Sequence, residues 1–489
     1  MLTVPRGLQV LVLTVLGVHV LKVMAVLKAQ VLAGLRTAPL APLALLALTP
    51  LTPLAPLAPL LMSRAAPSVP QAPDASLLRE IRAIRAIDNH AHVVRPIAGD
   101  TDYDALPFAL LDPPPAGVIA APGYLRLDNP MFVKAWKALY GYRHADASAA
   151  HVQEAVALKA QALKTHGAAY PAWVLDRQGI EIVLANRVAM AADLPAPRFR
   201  WVPYADALIF PLDNGAAKAA NRDYHAFYPA EETLLKRYMT ESGVRALPPA
   251  LADYCRTVVT ATLERHKAGG AVAEKLEIAY LRWLDFAPAA EADAARVYAR
   301  HVNGGPPSAE DYKTLQDYLF AYVAREAGRL GLAIHIHVAN GGGFNYDQRG
   351  SNPLLLTWAF NEPSLRKTNF VIVHGGYPYY RETSGLVSKP NVYADFSALS
   401  FFEGVHGQAD LLRGWLSQWP EKILFGTDAT PNTDETSWEE TGWIASQNAR
   451  EALAIALTGM IQDGEITRTR ASELARMVLR DNAKKLYGL

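Results

Sequence analysis

The segment IDNHAHVVRP, residues 87–96, closes a short apolar run with two histidines one residue apart, His90 and His92. In a β-strand, residues i and i+2 face the same side, so both imidazoles would point together into whatever space the strand borders. Alone the pair is a weak signal, as fit for a hydrogen-bonded loop as for half of a metal site. Later segments add partners. AIHIHVANGGGFN carries His335 and His337 in the same i, i+2 relation, FVIVHGGYP brings His374, and KILFGTDATP brings Asp428. Each polar residue closes an apolar or β-branched run, where burying an unpaired imidazole or carboxylate would be costly. A divalent ion removes that cost, because neutral imidazole and carboxylate are zinc ligands. Hydrogen-bonded core histidines are the plainer alternative at each position.

Side chains such as these converge only if the strands that carry them end together. Strand-like runs recur in AIDNHAHV, GIEIVLAN, FRWVPYADALI, AVAEKLEIAYL, LAIHIHV, NFVIVHG, NVYADFS and KILFGTDA, eight in all. Helical periodicity fills the intervals in AAHVQEAVALKAQALKTHG, EDYKTLQDYLFAYVAREAGRLG, ADLLRGWLSQWP and ASELARMVLRDNAKKLYG. The alternation predicts an α/β fold, a (β/α)8 TIM barrel, whose active sites gather at the carboxyl ends of the strands. A doubly wound open sheet would be expected to carry a glycine-rich turn, and no G-x-G-x-x-G follows the first strand. Long loops are rarely structureless. The enlarged ones, at about 100–178 and 212–270, hold the helix-like MFVKAWKALYGY and EETLLKRYMTES, so a helical cap over the carboxyl-end face is expected.

Composition bounds the rest. The 489 residues are 51% hydrophobic and 19% charged, ample for a large core. The net charge of +1, from 48 Lys+Arg and 47 Asp+Glu, gives no basic excess for nucleic acid or anionic lipid. The single cysteine, Cys255, excludes an intrachain disulfide and a thiolate zinc site, and its surroundings read as helix core. Residues 1–73 differ from everything after them: an apolar stretch with scattered lysines, then a run of Ala, Pro and Leu. Proline at such frequency opposes a stable helix, and the run reads as low complexity. An arginine (Arg6 or Arg36), an apolar stretch and small residues near SRAAPSVPQA fit an export leader, with a periplasmic or secreted destination expected. A membrane anchor over residues 9–35 is the alternative, weakened by Lys22 and Lys28. The barrel is expected over residues 74–489, with no membrane partner once the leader is removed.

Taken together, DNHAH on a first strand, a histidine closing the fifth, HGGYP on the sixth and ILFGTDA on the eighth resemble the amidohydrolase superfamily. The likeness is to the amidohydrolase-related branch that includes aminocarboxymuconate-semialdehyde decarboxylase. HGGYPYYRE, NVYADFS, KILFGTDA and the closing NAKKLYGL are also similar to the amidohydrolase-like domain fused to glutamine-synthetase-like domains. The resemblance implies that His90, His92, His337 and Asp428 ligate metal, with His335 the alternate to His337. It also implies that His374 holds a second ion or polarises the substrate, and that Asp428 doubles as proton acceptor. A bridging ligand on the fourth strand would fall to Lys275 or Glu277. The implied cofactor is a divalent metal, zinc first and manganese second, as one or two ions.

The activity so implied is hydrolysis of a C–N or C–O bond, in an amide, lactone or ester, in a small polar substrate through a metal-activated water. Asp428 would move the proton and His374 would meet the developing oxyanion. Decarboxylation of an unsaturated acid, isomerisation of a sugar acid and a non-catalytic binding or signalling domain are the rival readings. Candidate substrate contacts are Arg381, Asn340, Gly341 and Tyr377, while Asp395 and Ser397 share an inward face and could support the ligands. A homo-oligomer is compatible with the sequence; a nucleic-acid partner is not expected.

Overall fold

In the computed structural model, which describes residues 72–489 apart from 114, 116, 118–122 and 339–342, eight parallel strands run in chain order. They are β1 Ala86–Ala91, β2 Ile180–Asn186, β3 Phe199–Val202, β4 Ala273–Leu276, β5 Ala333–Ile336, β6 Phe370–Ile372, β7 Val392–Asp395 and β8 Ile423–Leu424. Strands β1 to β3 form one parallel ladder and β4 to β8 another. Single parallel bridges close the ring: Trp201 to Ala271 and Tyr204 to Lys275 join the β3 and β4 regions, and Ala91 to Ala429 joins β1 to the residues after β8. This is the expected (β/α)8 barrel. The expected leader lies outside the described residues up to residue 71, and so do Asn340 and Gly341.

Each of the eight strand-like segments holds one strand, but the strands are shorter than the apolar runs. AVAEKLEIAYL gives only Ala273–Leu276, because Glu277 leaves the extended region and a 3-10 turn, Ile278–Tyr280, follows. Both faces of a barrel strand are covered, so β1 is buried at every position and its sequence shows no alternation. The barrel floor is apolar: Ile87, Ile182, Leu184, Val202, Ala333, Val371 and Leu424 pack together, with Tyr487 and Leu489 from the chain's last turn against them. Polar side chains therefore collect above that floor, at the carboxyl ends.

The expected cap helices are present. Pro130–Tyr140 and Ala149–His166 pack through Phe132, Trp136, Leu139 and Val152. Phe227–Glu241 occupies the second enlarged loop and buries Leu234, Leu235 and Tyr238. The 25-residue helix Trp438–Gln462, started by a capping box between Ser437 and Glu440, was absent from the sequence expectations. It buries residues on nearly every side, so it lacks the polar face that marks an amphipathic helix. Cys255 is buried, and burial pushes its thiol up to about 12. Among the described residues no helix is long and apolar enough to cross a membrane.

Candidate metal centre

Strand β1 delivers His90 and His92 to the barrel top, and the chain after β8 returns Asp428 against them. His90 Nε2 lies 3.2 Å and His92 Nε2 3.6 Å from Asp428 Oδ1. The meeting is held by the backbone: Asp428 N donates to the His90 carbonyl at 2.8 Å, and His92 N donates to Ala429 O at 2.7 Å. Asp88, one pleat below His90, accepts from both the N–H and the hydroxyl of Thr427, the residue before Asp428. Gly426 permits this approach, since a Cβ there would come 2.8 Å from the Ser397 Cβ. Asp428 sits at φ 56° and His374 at φ 59°. Left-handed backbone at a non-glycine residue costs on the order of 1–2 kcal/mol, and here two of the converging residues adopt it.

The second half of the cluster comes from β5, β6 and β7. His374 Nε2 is 3.1 Å from His337 Nδ1, and Tyr280 OH is 3.4 Å from the same His337 nitrogen. Ser397 donates its hydroxyl to Asp395 Oδ1 at 2.6 Å, which leaves its oxygen to accept from His374 Nδ1 at 3.0 Å. Asp395 is buried and also accepts from His374 N and Asn89 Nδ2. These bonds put the His374 proton on Nδ1 and the lone pair on Nε2. His90 meets the Asn186 amide through Nδ1, at 2.6 Å. As placed, Asn186 turns Nδ2 to His90 and leaves its own buried Oδ1 without a partner. Turned over, the amide would present that oxygen, and the His90 proton would then sit on Nδ1 with the Nε2 lone pair toward Asp428.

The group fits a divalent ion on its own terms. Ligand atoms of His90, His92 and Asp428 lie within 4.8 Å of one another. His90 Nε2 is fully buried and has no hydrogen-bond partner. Burial holds His90 and His374 well below the usual imidazole range, so both are neutral and fit to ligate. Burial would lower His92 too, but the Asp104 carboxylate outweighs it and the ring is raised. The Asp428 side chain is 22% exposed, so the cluster opens to solvent on one side, as a reacting site needs.

Beside His92 lies a pocket of buried acid. Lys275 Nζ pairs with Glu277 Oε1 at 3.2 Å, and Glu277 N donates to both oxygens of Asp206. Burial pushes Asp206 up to about 7 and Glu277 up to about 8. Glu231, on helix Phe227–Glu241, is buried with neither carboxylate oxygen partnered. Burial first, then the charges of Asp206, Glu277 and Asp104, hold its carboxyl well above the usual carboxylate range. The folded chain keeps a proton there that the unfolded chain releases above about pH 4.5, so this group lowers stability as pH rises from 4.5 toward its folded value. Glu231→Gln removes that proton. The variant should gain stability on the wild type as pH climbs from 5 to 8, read by urea unfolding. An equal difference at both pH values would refute it.

The remaining expected positions fall as follows. His335 lies a layer deeper than His337: its Nε2 is 2.7 Å from Tyr487 OH, which also bonds Asn89, and burial lowers it to about 3. Tyr377 is half-buried and stacks on Phe402, while Arg381 is exposed on helix Tyr380–Leu386 and is not among the groups brought to the cluster. Asn186, Asp104, Tyr204 and Tyr280 contact the site histidines without having been anticipated. Of these, Asn186 carries a readable signal, since it closes the apolar run GIEIVLAN as the histidines close theirs.

Residues 238–489 match a family model described as amidohydrolase. The protein fluG of Emericella nidulans is 28% identical over 227 residues, covering 44% of this chain and 25% of that protein, so the chain spans about a quarter of that relative's length. Among solved structures, a Lactobacillus casei protein provisionally assigned as a metal-dependent hydrolase superposes with a TM-score of 0.57 at 18% identity, over 84% of this chain and 97% of the other. The glucuronate isomerase of Caulobacter crescentus gives 0.57 at 14% identity, over 84% and 93%. At these identities the structures show a shared fold.

Proposed function

The chain belongs to the amidohydrolase family, and on that premise we propose that it is a metal-dependent hydrolase cleaving a C–N or C–O bond in an amide, lactone or ester. The observation that carries the reading is the buried, unpartnered His90 Nε2 facing Asp428 Oδ1 at 3.2 Å beside His92. His90, His92 and Asp428 would hold the ion, with His337 and His374 next to them. Bound there, a divalent ion supplies Lewis acidity toward a carbonyl and eases deprotonation of water near neutral pH. Asp428, part exposed and anchored by its own backbone, is placed to take the proton of the attacking water and return it to the leaving atom. His374, neutral and fixed by Ser397, keeps its proton on Nδ1 and turns its Nε2 lone pair toward His337, so it would serve a second ion there in preference to donating to an oxyanion.

A decarboxylase of unsaturated acids or an isomerase of uronic acids would each need a partner for the substrate carboxylate. Among the described residues, two buried cations near the cluster are already paired, Lys275 on β4 with Glu277 and Arg187 just after β2 with Asp100. That favours an uncharged carbonyl substrate. Metal analysis of the full chain should find at least one zinc or manganese ion. A chelator should abolish hydrolysis in a screen of amides, lactones and esters, and added ion should restore it. No bound ion with no gain on adding one, or turnover confined to uronates or unsaturated acids, would reject the reading.

A further inference from the structure

The loop that leaves β1 carries aspartates at alternating positions, Asp100, Asp102 and Asp104, in the run GDTDYD. Each is tied to a different part of the barrel top. Asp100 forms a two-toothed pair with Arg187, at 2.7 and 2.9 Å, and also accepts from Arg95 N at 2.7 Å. Arg187, directly after β2, donates as well to the carbonyl of Val93, the residue after His92. Asp102 accepts from Arg237 on helix Phe227–Glu241 at 3.0 Å, and its carbonyl accepts from Val188 N at 2.7 Å. Asp104 Oδ2 stands 3.1 Å from His92 Nδ1. One arginine thus grips the loop at Val93 and at Asp100, and the chain just beyond sets Asp104 against the edge of His92 turned away from Asp428.

We propose that Asp104 is a positioning residue for the metal, accepting a hydrogen bond from the Nδ1–H of His92 so that Nε2 offers its lone pair beside Asp428, with the Arg187–Asp100 clamp holding it in place. The inference rests on the metal-dependent reading given above. A neutral imidazole carries one proton, and an ionised carboxylate only accepts, so a carboxylate at Nδ1 fixes that proton there. Tyr204 OH, 3.3 Å from the same nitrogen, can serve beside it as a second acceptor. Asp104 could instead be a ligand, since His92, Asp104 and Glu277 also offer atoms within 4.8 Å of one another. That role would ask one imidazole to give up both protons and serve an ion on each side. The carboxylate–histidine pairing asks for no such step.

The test uses the full chain, with zinc affinity read by competition against a chromophoric chelator and zinc count by mass spectrometry at saturation. Asp104→Ala should weaken zinc by about 10–100-fold with an unchanged count, and Asp104→Glu should recover most of the loss. Nitrogen NMR of the histidine-labelled, zinc-free wild type, taken at a pH where the His92 ring is neutral, should show its single proton on Nδ1, a readout that does not depend on any variant folding. Wild-type affinity in Asp104→Ala, loss of one whole zinc, or His92 protonated on Nε2 would each overturn the proposal. A wild-type chain that takes up no zinc would instead strike the functional reading itself, and this inference with it.

Discussion

Asp428→Asn is expected to lower kcat by at least ~10²–10⁴-fold, the range that positioned proton transfer contributes, with the unfolding midpoint close to wild type. The two halves of that expectation have separate physical origins. Asparagine keeps the shape of the side chain and one carbonyl oxygen, but it accepts no proton at neutral pH. It also tolerates left-handed backbone as aspartate does, so φ 56° at this position is not a barrier to folding. The backbone bond to His90 O and the grip of Asp88 on Thr427 involve no atom of the replaced side chain. A loss confined to chemistry should lower kcat and kcat/KM together. The kinetics should be taken at a fixed, saturating zinc concentration, so that weakened metal binding is not mistaken for lost proton transfer. Turnover within tenfold of wild type would remove Asp428 from the reaction.

What could be read beforehand follows from where polar residues sit relative to apolar runs. His90, His337, His374 and Asp428 were legible because each interrupts a run that must be buried, and an interruption at a strand's end asks for a reason. Asn186 obeys the same rule and could have been found by it. Asp104 could not. It lies in a loop outside any strand or helix pattern, and neither its approach to His92 nor the pairing of Asp100 with Arg187 shows before the partners are seen. His335 and His337 were indistinguishable by face, because an i, i+2 pair shares one; depth separated them, and the deeper His335 meets Tyr487 from the far end of the chain. The helix Trp438–Gln462 was missed for the opposite reason, that burial on most sides erases the contrast by which helices are recognised.

Arg187→Ala should cost about 3–5 kcal/mol of folding stability, the scale of breaking a buried ion pair by removing one partner. The side chains of Arg187 and Asp100 are 1% and 2% exposed. Truncation would strand the Asp100 carboxylate and leave the carbonyls of Val93 and Ala189 without the donors they have now. Comparable distance at the surface means little: Arg256 and Asp253 are also 2.7 Å apart, but they are well exposed, and their loss should fall within about 1 kcal/mol. Lysine cannot replace Arg187 fully, because one ammonium cannot reproduce a planar fork that serves Asp100 and Val93 together. Urea unfolding of Arg187→Ala, Arg187→Lys and Arg256→Ala checks the order. If the clamp acts on the metal through Asp104, Arg187→Ala should also weaken zinc, and adding Asp104→Ala should weaken it little further, because two residues acting through one contact are not additive. Additive losses in zinc affinity would mean that Arg187 stabilises the fold and Asp104 reaches His92 without it.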